Sequence, residues 1–300
     1  MNETRFIYLG DAEPDNFKEP VGYGNWRNLL SEAYDKAYGS SSEKDKCLIV
    51  LGGDLVRRSR KEDNWSGFFD ALDPFMEKAA VIAAIGNHDC RDGIDYLKRL
   101  KTPQNGPQGF EKCFYSYDHG CCHFTVLDTN SLWYEAEYDR MPYYSKKYGF
   151  DLPPYDPEIA PVPLISDWLR NDLEKNCDKV KFILMHHPMF SAGISEGDDR
   201  RSMFLRENFL PVMKECGADM ILCGHQHFYC RTDPVKTGIV QLMSVSGNKL
   251  FDGRDNSEMA FVKESVSSAS IITADGEGTI RLQSIDQNGN IFDDYTKTRL

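Results

Sequence analysis

The sequence predicts a fold of the α/β class, in which buried strands alternate with helices. Short apolar runs of strand length alternate with stretches of helical periodicity along most of the 300 residues. The apolar runs are continuous, which is typical of strands buried on both faces of a sheet. The composition, with 41% hydrophobic and 27% charged residues, is globular and excludes coiled-coil, collagen-like and largely disordered chains.

The predicted strands share one feature, a glycine or a polar residue directly after the last apolar position. The runs are 6–9, 47–51, 81–85, 124–127, 181–185 and 220–223. In an open α/β sheet, ligands bind beyond the carboxyl ends of the strands. The polar residues that follow these runs are therefore expected to converge.

Helical patterns lie between the strands, over 26–37, 65–77, 165–175 and 203–215. Ser166 and Asp167 are candidate caps for the third helix, and Gly217 follows the fourth, where glycine favours helix termination. The tail changes character: runs at 270–273, 279–284 and 291–295 are separated by turn-rich spacers, which predicts an antiparallel meander. We expect 1–300 to be a single domain that includes the meander, about 268–298.

The chain is acidic, with 47 Asp and Glu against 35 Lys and Arg and a formal net charge of -12. Such a surface repels phosphate backbones, so a nucleic acid polymer is not an expected partner, although bound metal ions can still recruit small phosphorylated ligands. No apolar stretch approaches the ~20 residues that span a bilayer, so no membrane association is expected. No obligate protein partner is evident.

The nine cysteines are an odd number and include no CxxC pair, which predicts free thiols in a reducing compartment. Residues 1–5 precede the first predicted strand directly and show no signal peptide. We therefore expect a cytoplasmic protein, or a secreted one if the N-terminus has been trimmed.

The residues after the predicted strands are those of a two-metal site with oxygen and nitrogen ligands. They are Asp11, Asp54, Asn87, His186, His225 and His227. A carboxylate can bridge two cations ~3.5–4 Å apart, a spacing at which the pair activates a bridging water and holds a phosphoryl group. Asp54 is the predicted bridge. These ligand types suit Mn, Zn or Fe and do not choose among them.

Each of these residues alone also has a structural interpretation. Gly-Asp after a strand is a common turn and helix cap, so Asp11 by itself favours a structural role. His225 and His227 directly after an apolar strand are more specific, since two imidazoles at such a place seldom belong to a core. The prediction of a metal site depends on all of the motifs together.

In their order and spacing, these motifs resemble the calcineurin-like metallophosphoesterases over nearly the whole chain. The motifs are Gly10-Asp11, Gly53-Asp54, Gly86-Asn87-His88-Asp89, His186-x-Pro188 and Gly224-His225-Gln226-His227. The segments 54–56, 65–69, 185–191 and 227–231 are most similar to the purple acid phosphatase branch, especially its bacterial members. The resemblance implies a four-layer α/β/β/α sandwich, with two mixed sheets face to face and helices outside.

The resemblance also implies a role for each motif. Metal 1 would be held by Asp11, Asp54 and His227, and metal 2 by Asp54, Asn87, His186 and His225. His88 would stabilise charge on the phosphoryl group or protonate the leaving oxygen, with Asp89 orienting its ring. A metal-bound hydroxide at a dinuclear centre of divalent or trivalent ions would hydrolyse a small phosphate ester, with monoesters favoured and diesters or nucleotides as alternatives.

Two departures from the family pattern fall on metal 1. Glu13 stands where the superfamily has the histidine of Asp-x-His, and Arg57 stands where the purple acid branch has a tyrosine after the bridging aspartate. Without that tyrosine, a purple Fe(III) site is not expected. Glu13 is a candidate ligand, either direct or through water, and metal 1 is expected to bind more weakly than metal 2.

Candidate substrate-binding residues are Arg57, His187 and Tyr229, with Arg231 a further one. Arg57 either binds a phosphate through two hydrogen bonds or is a solvated charge in a basic segment. His187 either faces the substrate or supports the ligands from behind. The aromatic-rich segment 132–163 is either a lid or surface packing.

Two other classes remain open. One is a binding module that keeps the fold but has weakened catalysis, and the other is the catalytic part of a longer secreted protein.

Overall fold

The computed structural model describes residues 3–14, 22–39, 46–59, 61–89, 99–132, 160–193, 200–254 and 256–299. Most of the aromatic-rich segment considered above, 133–159, lies outside these residues. The strands are β1 (Thr4–Leu9), β2 (Leu48–Leu51), β3 (Ala80–Ala83), β4 (Tyr115–His119), β5 (Cys122–Leu127), β6 (Val180–Met185), β7 (Met220–Cys223), β8 (Tyr229–Thr232), β9 (Val240–Met243), β10 (Met259–Lys263), β11 (Ser268–Ala274), β12 (Ile280–Asp286) and β13 (Ile291–Lys297). The helices are α1 (Gly24–Tyr38), α2 (Glu62–Met76), α3 (Thr129–Leu132), α4 (Val162–Lys175), α5 (Arg200–Asn208), α6 (Leu210–Glu215) and α7 (Pro234–Thr237).

The strands form two mixed sheets. The first has the order β13-β12-β11-β1-β2-β3, and the second has the order β10-β8-β9-β7-β6-β5-β4. Strands β1, β2 and β3 are parallel to one another, as are β5, β6, β7 and β9. The C-terminal strands β11, β12 and β13 pair antiparallel in sequence order, which confirms the predicted meander, and β11 pairs with β1.

Alternate side chains of the central strands face opposite layers, because the side-chain period of a strand is two residues. On β1, Ile7 and Leu9 pack among residues of α1 and α2, whereas Phe6 and Tyr8 pack between the two sheets. The ring centroid of Phe6 lies 4.9 Å from that of Phe124 in the other sheet. The predicted arrangement of two face-to-face sheets with helices outside is therefore confirmed.

The helix predictions hold for most positions and are wrong in two details. The predicted helix over 203–215 is divided into α5 and α6, because Pro211 lies in the first turn of α6 and a proline suits a helix start better than an interior. The third predicted helix begins at Val162, before Ser166 and Asp167, so these two residues do not cap it.

Within the described part of the chain, no helix combines the length and the hydropathy that a membrane span requires. The eight cysteines among the described residues are free thiols, and five of them are buried.

Candidate metal centre

The predicted site residues follow the carboxyl ends of parallel strands from both sheets. Asp11 and Glu13 follow β1, Asp54 follows β2, and the His186 loop follows β6. Eight predicted residues are brought into one cluster: Asp11, Glu13, Asp54, Asn87, His88, His186, His225 and His227. The convergence expected from the strand pattern is thus observed.

The backbone of this cluster is strained. Five described residues other than glycine have a positive φ angle, and three of them are Asp54, His225 and His227. A non-glycine residue in this region costs energy and tends to persist where surrounding contacts hold it for function. The turns also need glycine, since a Cβ on Gly86 would lie 2.1 Å from the Asp54 nitrogen.

Asp54 lies between two groups of ligand-type side chains. We call Asp11, Glu13 and His227 the acidic half. His227 Nδ1 donates to the Lys249 carbonyl oxygen at 2.9 Å, so its Nε2 faces the carboxylates, 3.3 Å from Glu13 Oε1 and 3.8 Å from Asp11 Oδ1. The second oxygen of Asp11, Oδ2, accepts the His225 backbone N–H at 2.7 Å.

We call Asn87, His186 and His225 the imidazole half. His186 Nδ1 donates to the Gly52 carbonyl oxygen at 2.8 Å, and its Nε2 lies 3.2 Å from Asn87 Oδ1 and 3.4 Å from Asp54 Oδ2. His225 Nδ1 lies 3.0 Å from Asn87 Oδ1. In each half, a backbone carbonyl therefore takes one ring proton and leaves an imidazole nitrogen aimed at side-chain oxygens.

The pKa values reflect burial and close charges. Burial, with the repulsion of Asp54, raises the pKa of Asp11 to about 8. Although burial acts in the opposite direction, His186 and His88 hold the pKa of Asp54 well below its usual range. Although burial opposes its charged form, His186 has a pKa raised to about 9 by Asp54. Burial and the positive charge of Lys249 lower the pKa of His227 to about 3.

The cluster fits divalent cations. Three buried carboxylate oxygens, Asp11 Oδ1, Glu13 Oε2 and Asp54 Oδ2, have no hydrogen-bond partner among the described residues. An unsatisfied buried carboxylate oxygen is costly, and a cation is the partner that oxygens and imidazole nitrogens share. The ligand atoms of Asp11, Asp54 and His227 lie within 4.8 Å of one another, as do those of Glu13, Asp54 and His88.

His88 lies at the edge of the cluster, with 24% of its side chain exposed. Its backbone N–H donates to Asp54 Oδ1 at 2.8 Å, and its Nδ1 donates to the Arg57 carbonyl oxygen at 2.9 Å. Glu13 Oε2 is 3.7 Å from the same ring nitrogen. The Arg57 carbonyl therefore orients this ring and directs Nε2 away from it.

Asp89 does not orient His88, contrary to the expectation from the resemblance. One of its carboxylate oxygens accepts the backbone N–H groups of Leu55 and Val56 at 2.9 and 3.2 Å, and the other accepts that of Gly86 at 2.9 Å. Burial and the Asp54 carboxylate raise the pKa of Asp89 to about 7. Its position joins the turn after β2 to the turn after β3.

His187 is buried, with 1% of its surface exposed, as are Asp11 and His186. Its Nδ1 lies 2.7 Å from the Thr129 hydroxyl, and its ring centroid is 4.4 Å from that of His225. The ligand atoms of His186, His187 and His225 lie within 4.8 Å of one another, so His187 lies beside the imidazole half.

Tyr229 and Arg231 do not lie at the site, and their predicted contact with substrate is wrong. Tyr229 is fully buried between the sheets, where its hydroxyl donates to Asp293 at 2.8 Å and accepts from Ser284 at 2.8 Å. The Arg231 guanidinium binds both oxygens of Asp293, at 2.8 and 3.0 Å. The carbonyl oxygen of Arg57 contacts His88 in the cluster.

Lys249 is a residue of the cluster that the sequence motifs missed. Its ammonium contacts Glu13 Oε1 at 2.5 Å, and its carbonyl holds His227. It follows Gly247 and Asn248 in a loop after β9 that carries no metal-ligand motif. The signal that was available is the glycine-containing loop after a buried apolar strand, the feature that marked the other site loops.

Comparison with known proteins agrees with this geometry. The sequence profile of the calcineurin-like phosphoesterase family matches residues 4–229. An acid phosphatase of Aspergillus ficuum is 25% identical over 181 residues, which cover 54% of this chain and 29% of that protein. A probable inactive purple acid phosphatase 9 of Arabidopsis thaliana is 24% identical over 222 residues, 62% of this chain and 30% of that protein. The chain thus spans about a third of the length of these curated relatives.

Among solved structures, purple acid phosphatase PPD1 from yellow lupin (Lupinus luteus) seeds is similar in fold. Its TM-score is 0.64 at 16% identity, and the match covers 99% of this chain and 54% of the lupin chain. At this identity, the likeness concerns the fold.

Proposed function

This chain belongs to the calcineurin-like phosphoesterase family, and we propose that it is a metal-dependent phosphohydrolase that favours phosphomonoesters. The observation that carries the proposal is the set of three buried carboxylate oxygens without hydrogen-bond partners among the described residues, faced by imidazole nitrogens at the carboxyl ends of the strands. Relatives named acid phosphatase and purple acid phosphatase support the monoester preference.

Two ions would share Asp54. One would be held by the acidic half, with Glu13 as an additional oxygen ligand, and the other by the imidazole half. Mn, Zn and Fe suit these carboxylate, amide and imidazole ligands. When bound, such a pair lowers the pKa of water and stabilises charge on phosphoryl oxygens.

Residues of the chain would supply the proton, exclude bulk water and recognise the substrate. His88 is partly exposed, so its Nε2 can reach a bound ester and give a proton to the leaving oxygen. Asp11, Asp54 and Glu13 are almost fully buried, which keeps bulk water away from the charged groups and strengthens their electrostatic interactions. With a net charge of -12, the surface does not attract phosphates, so recognition of a small phosphorylated substrate is assigned to the centre itself.

The test is elemental analysis of the purified chain with hydrolysis assays on p-nitrophenyl phosphate and bis(p-nitrophenyl) phosphate. Activity is measured before chelation, after it, and with Mn, Zn or Fe(II) added back. We expect chelator-sensitive hydrolysis that is faster on the monoester, and none in the size-matched control Asp54→Asn. Bound metal without hydrolysis of either ester would contradict the proposal and favour a module that keeps the fold without catalysis. Faster hydrolysis of the bis-ester would replace monoesters with diesters.

A further inference from the structure

Glu13 and Lys249 form an ion pair inside the candidate metal centre. Glu13 is fully buried and Lys249 has 15% of its side chain exposed, with 2.5 Å between Nζ and Oε1. Glu13 stands at a position where the sequence departs from the family pattern, and its partner is the residue that the motifs did not identify. The two unusual features of the centre are therefore in contact with each other.

Contacts with His227 and Phe251 also hold Lys249 in place. Its carbonyl oxygen accepts the His227 Nδ1 proton at 2.9 Å, and the Phe251 backbone N–H donates to the His227 carbonyl oxygen at 2.9 Å. The ammonium also lies 5.4 Å from the centroid of the Phe251 ring. These contacts fix the loop against the acidic half, so the ammonium is a built part of the centre.

The charge of Lys249 acts on the acidic half more than on the imidazole half. Its contact, Glu13 Oε1, is the oxygen that lies 3.3 Å from His227 Nε2, the ring nitrogen that faces Asp11. A cation in this half would share Glu13 with an ammonium and would be repelled by it. In the imidazole half, His186 contacts Gly52 and Asn87, and His225 contacts Asn87.

We propose that Lys249 is a built-in competitor for the metal ion of the acidic half, so that two ions bind in sequence, first in the imidazole half and then, more weakly, in the acidic half. The proposal rests on the proposed function only in requiring that the centre binds divalent cations. It assigns to Lys249 the control of how many ions the centre holds at a given metal concentration.

The experiment is a Mn²⁺ titration of the chelator-treated full chain, read by calorimetry and by electron paramagnetic resonance of free Mn²⁺. The wild type is expected to bind one ion tightly and a second one weakly. Lys249→Gln and Lys249→Met remove the charge, and each is expected to tighten the second site about tenfold or more, the range in which groups around metal ligands alter affinity. Lys249→Arg keeps the charge and is the matched control, with a second site as weak as in the wild type.

Circular dichroism and thermal melting establish that each variant is folded, and two neutral variants are used so that misfolding of one leaves the other. A second site that differs less than twofold between the wild type and the folded neutral variants overturns the proposal. Absence of a second ion from all of these proteins also overturns it. Hydrolysis is not part of the readout, so a failed phosphatase assay and a failed competition experiment are separate results.

Discussion

The acidic half and the imidazole half meet at Asp54 but are built from different chemistry. The acidic half brings two carboxylates within reach of one imidazole, and a lysine already neutralises one of them. The imidazole half brings two rings onto one amide oxygen. A cation in the imidazole half has to displace the proton that Asp54 favours on His186, whereas a cation in the acidic half has to displace the Lys249 ammonium from Glu13. Similar numbers of ligands can therefore give very different affinities.

The difference also shows where a family pattern tolerates change. The residues of the imidazole half agree with the motifs that the chain shares with its family, and both departures, Glu13 and Arg57, lie in or beside the acidic half. The backbone carbonyls of Gly52 and Lys249 orient one ring in each half in the same way. The scaffold is thus alike in both halves while the charge around it is not.

Asp54→Ala is expected to have the largest effect, because the metal sites of both halves depend on this carboxylate. We expect loss of both bound metals and a fall in hydrolysis of about 10⁴-fold or more, since the metal-supported nucleophile is lost. Elemental analysis and p-nitrophenyl phosphate turnover are the measurements. Two tightly bound ions in the variant would show that Asp54 does not bridge the halves.

His88→Ala tests whether this residue belongs to catalysis or to the acidic half. We expect turnover to fall by ~10² to 10⁴-fold with metal content unchanged, the usual effect of removing a proton-transfer group. Its ring lies 3.7 Å from Glu13, and the ligand atoms of these two residues and Asp54 are close enough to hold a cation. A loss of one ion per chain would therefore make His88 a ligand of the acidic half instead.

Paired alanine variants compare the halves directly. His186→Ala removes an imidazole from the half proposed to bind more tightly, and His227→Ala removes one from the half proposed to bind more weakly. We expect His186→Ala to lose the tight ion and to be slower than His227→Ala by about 10 to 100-fold, in line with the effect of altered metal coordination. Metal content at low micromolar Mn²⁺ and turnover are measured together. Equal losses in the two variants would mean that the halves bind metal alike.

Asp89→Asn distinguishes two roles for Asp89. In one it holds the two turns together, and in the other it orients the His88 ring. The carboxylate accepts three backbone N–H groups, and an amide has only one acceptor oxygen. We expect the free energy of unfolding to fall by about 1–3 kcal/mol, the cost of unsatisfied buried groups. Thermal melts are compared with pH–rate profiles. A displaced profile at unchanged stability would instead support the ring-orienting role.

The smallest expected effect is a change in stability at His123, which lies outside both halves. Its ring nitrogens lie 2.7 Å from Asp118 and 2.9 Å from Asp172. Although burial opposes the charged form, these carboxylates raise the pKa of His123. The stabilisation is fully present below the unfolded pKa of about 6.5 and is lost as the pH rises through the higher folded value.

We therefore expect His123→Gln to be about 1–3 kcal/mol less stable than the wild type at pH 6, where its hydrogen bonds are to charged groups. The difference should shrink toward alkaline pH, while the metal content of the variant is unchanged. Chemical denaturation at several pH values measures it. A difference that does not vary with pH would show that His123 is neutral in the folded chain.

Much of the fold was predictable because the central strands are continuous apolar runs with ligand-type residues at their ends. Strands β4, β8, β9 and β10 lie outside the predicted strands, since polar or charged residues interrupt their apolar patterns. β8 contains Arg231, whose charge is neutralised by Asp293, 62 residues away along the chain. A sequence pattern shows the charge but not its partner. The prediction for Tyr229 was wrong for the same reason, because Tyr229 also binds Asp293.

The site was predictable as a set of residues and less so as a set of roles. Asp11, Asp54 and the histidines follow strands whose ends must converge, and they do. The orientation of Asp89 depends on which backbone N–H groups lie below it, and the role of Lys249 depends on a loop that reaches Glu13 from more than two hundred positions away. Contacts of this kind are set by tertiary packing.

The pairing of β1 with β11 has a consequence for how the chain is made. Thr4 pairs with Ala274, and β1 lies in the interior of its sheet between β2 and β11. β1 is therefore synthesised well before β11, one of its two neighbours in the sheet. Non-local pairings of this kind slow folding, and an unpaired strand edge invites association with other chains. During synthesis, the edge of β1 that pairs with β11 stays open until β11 has been made.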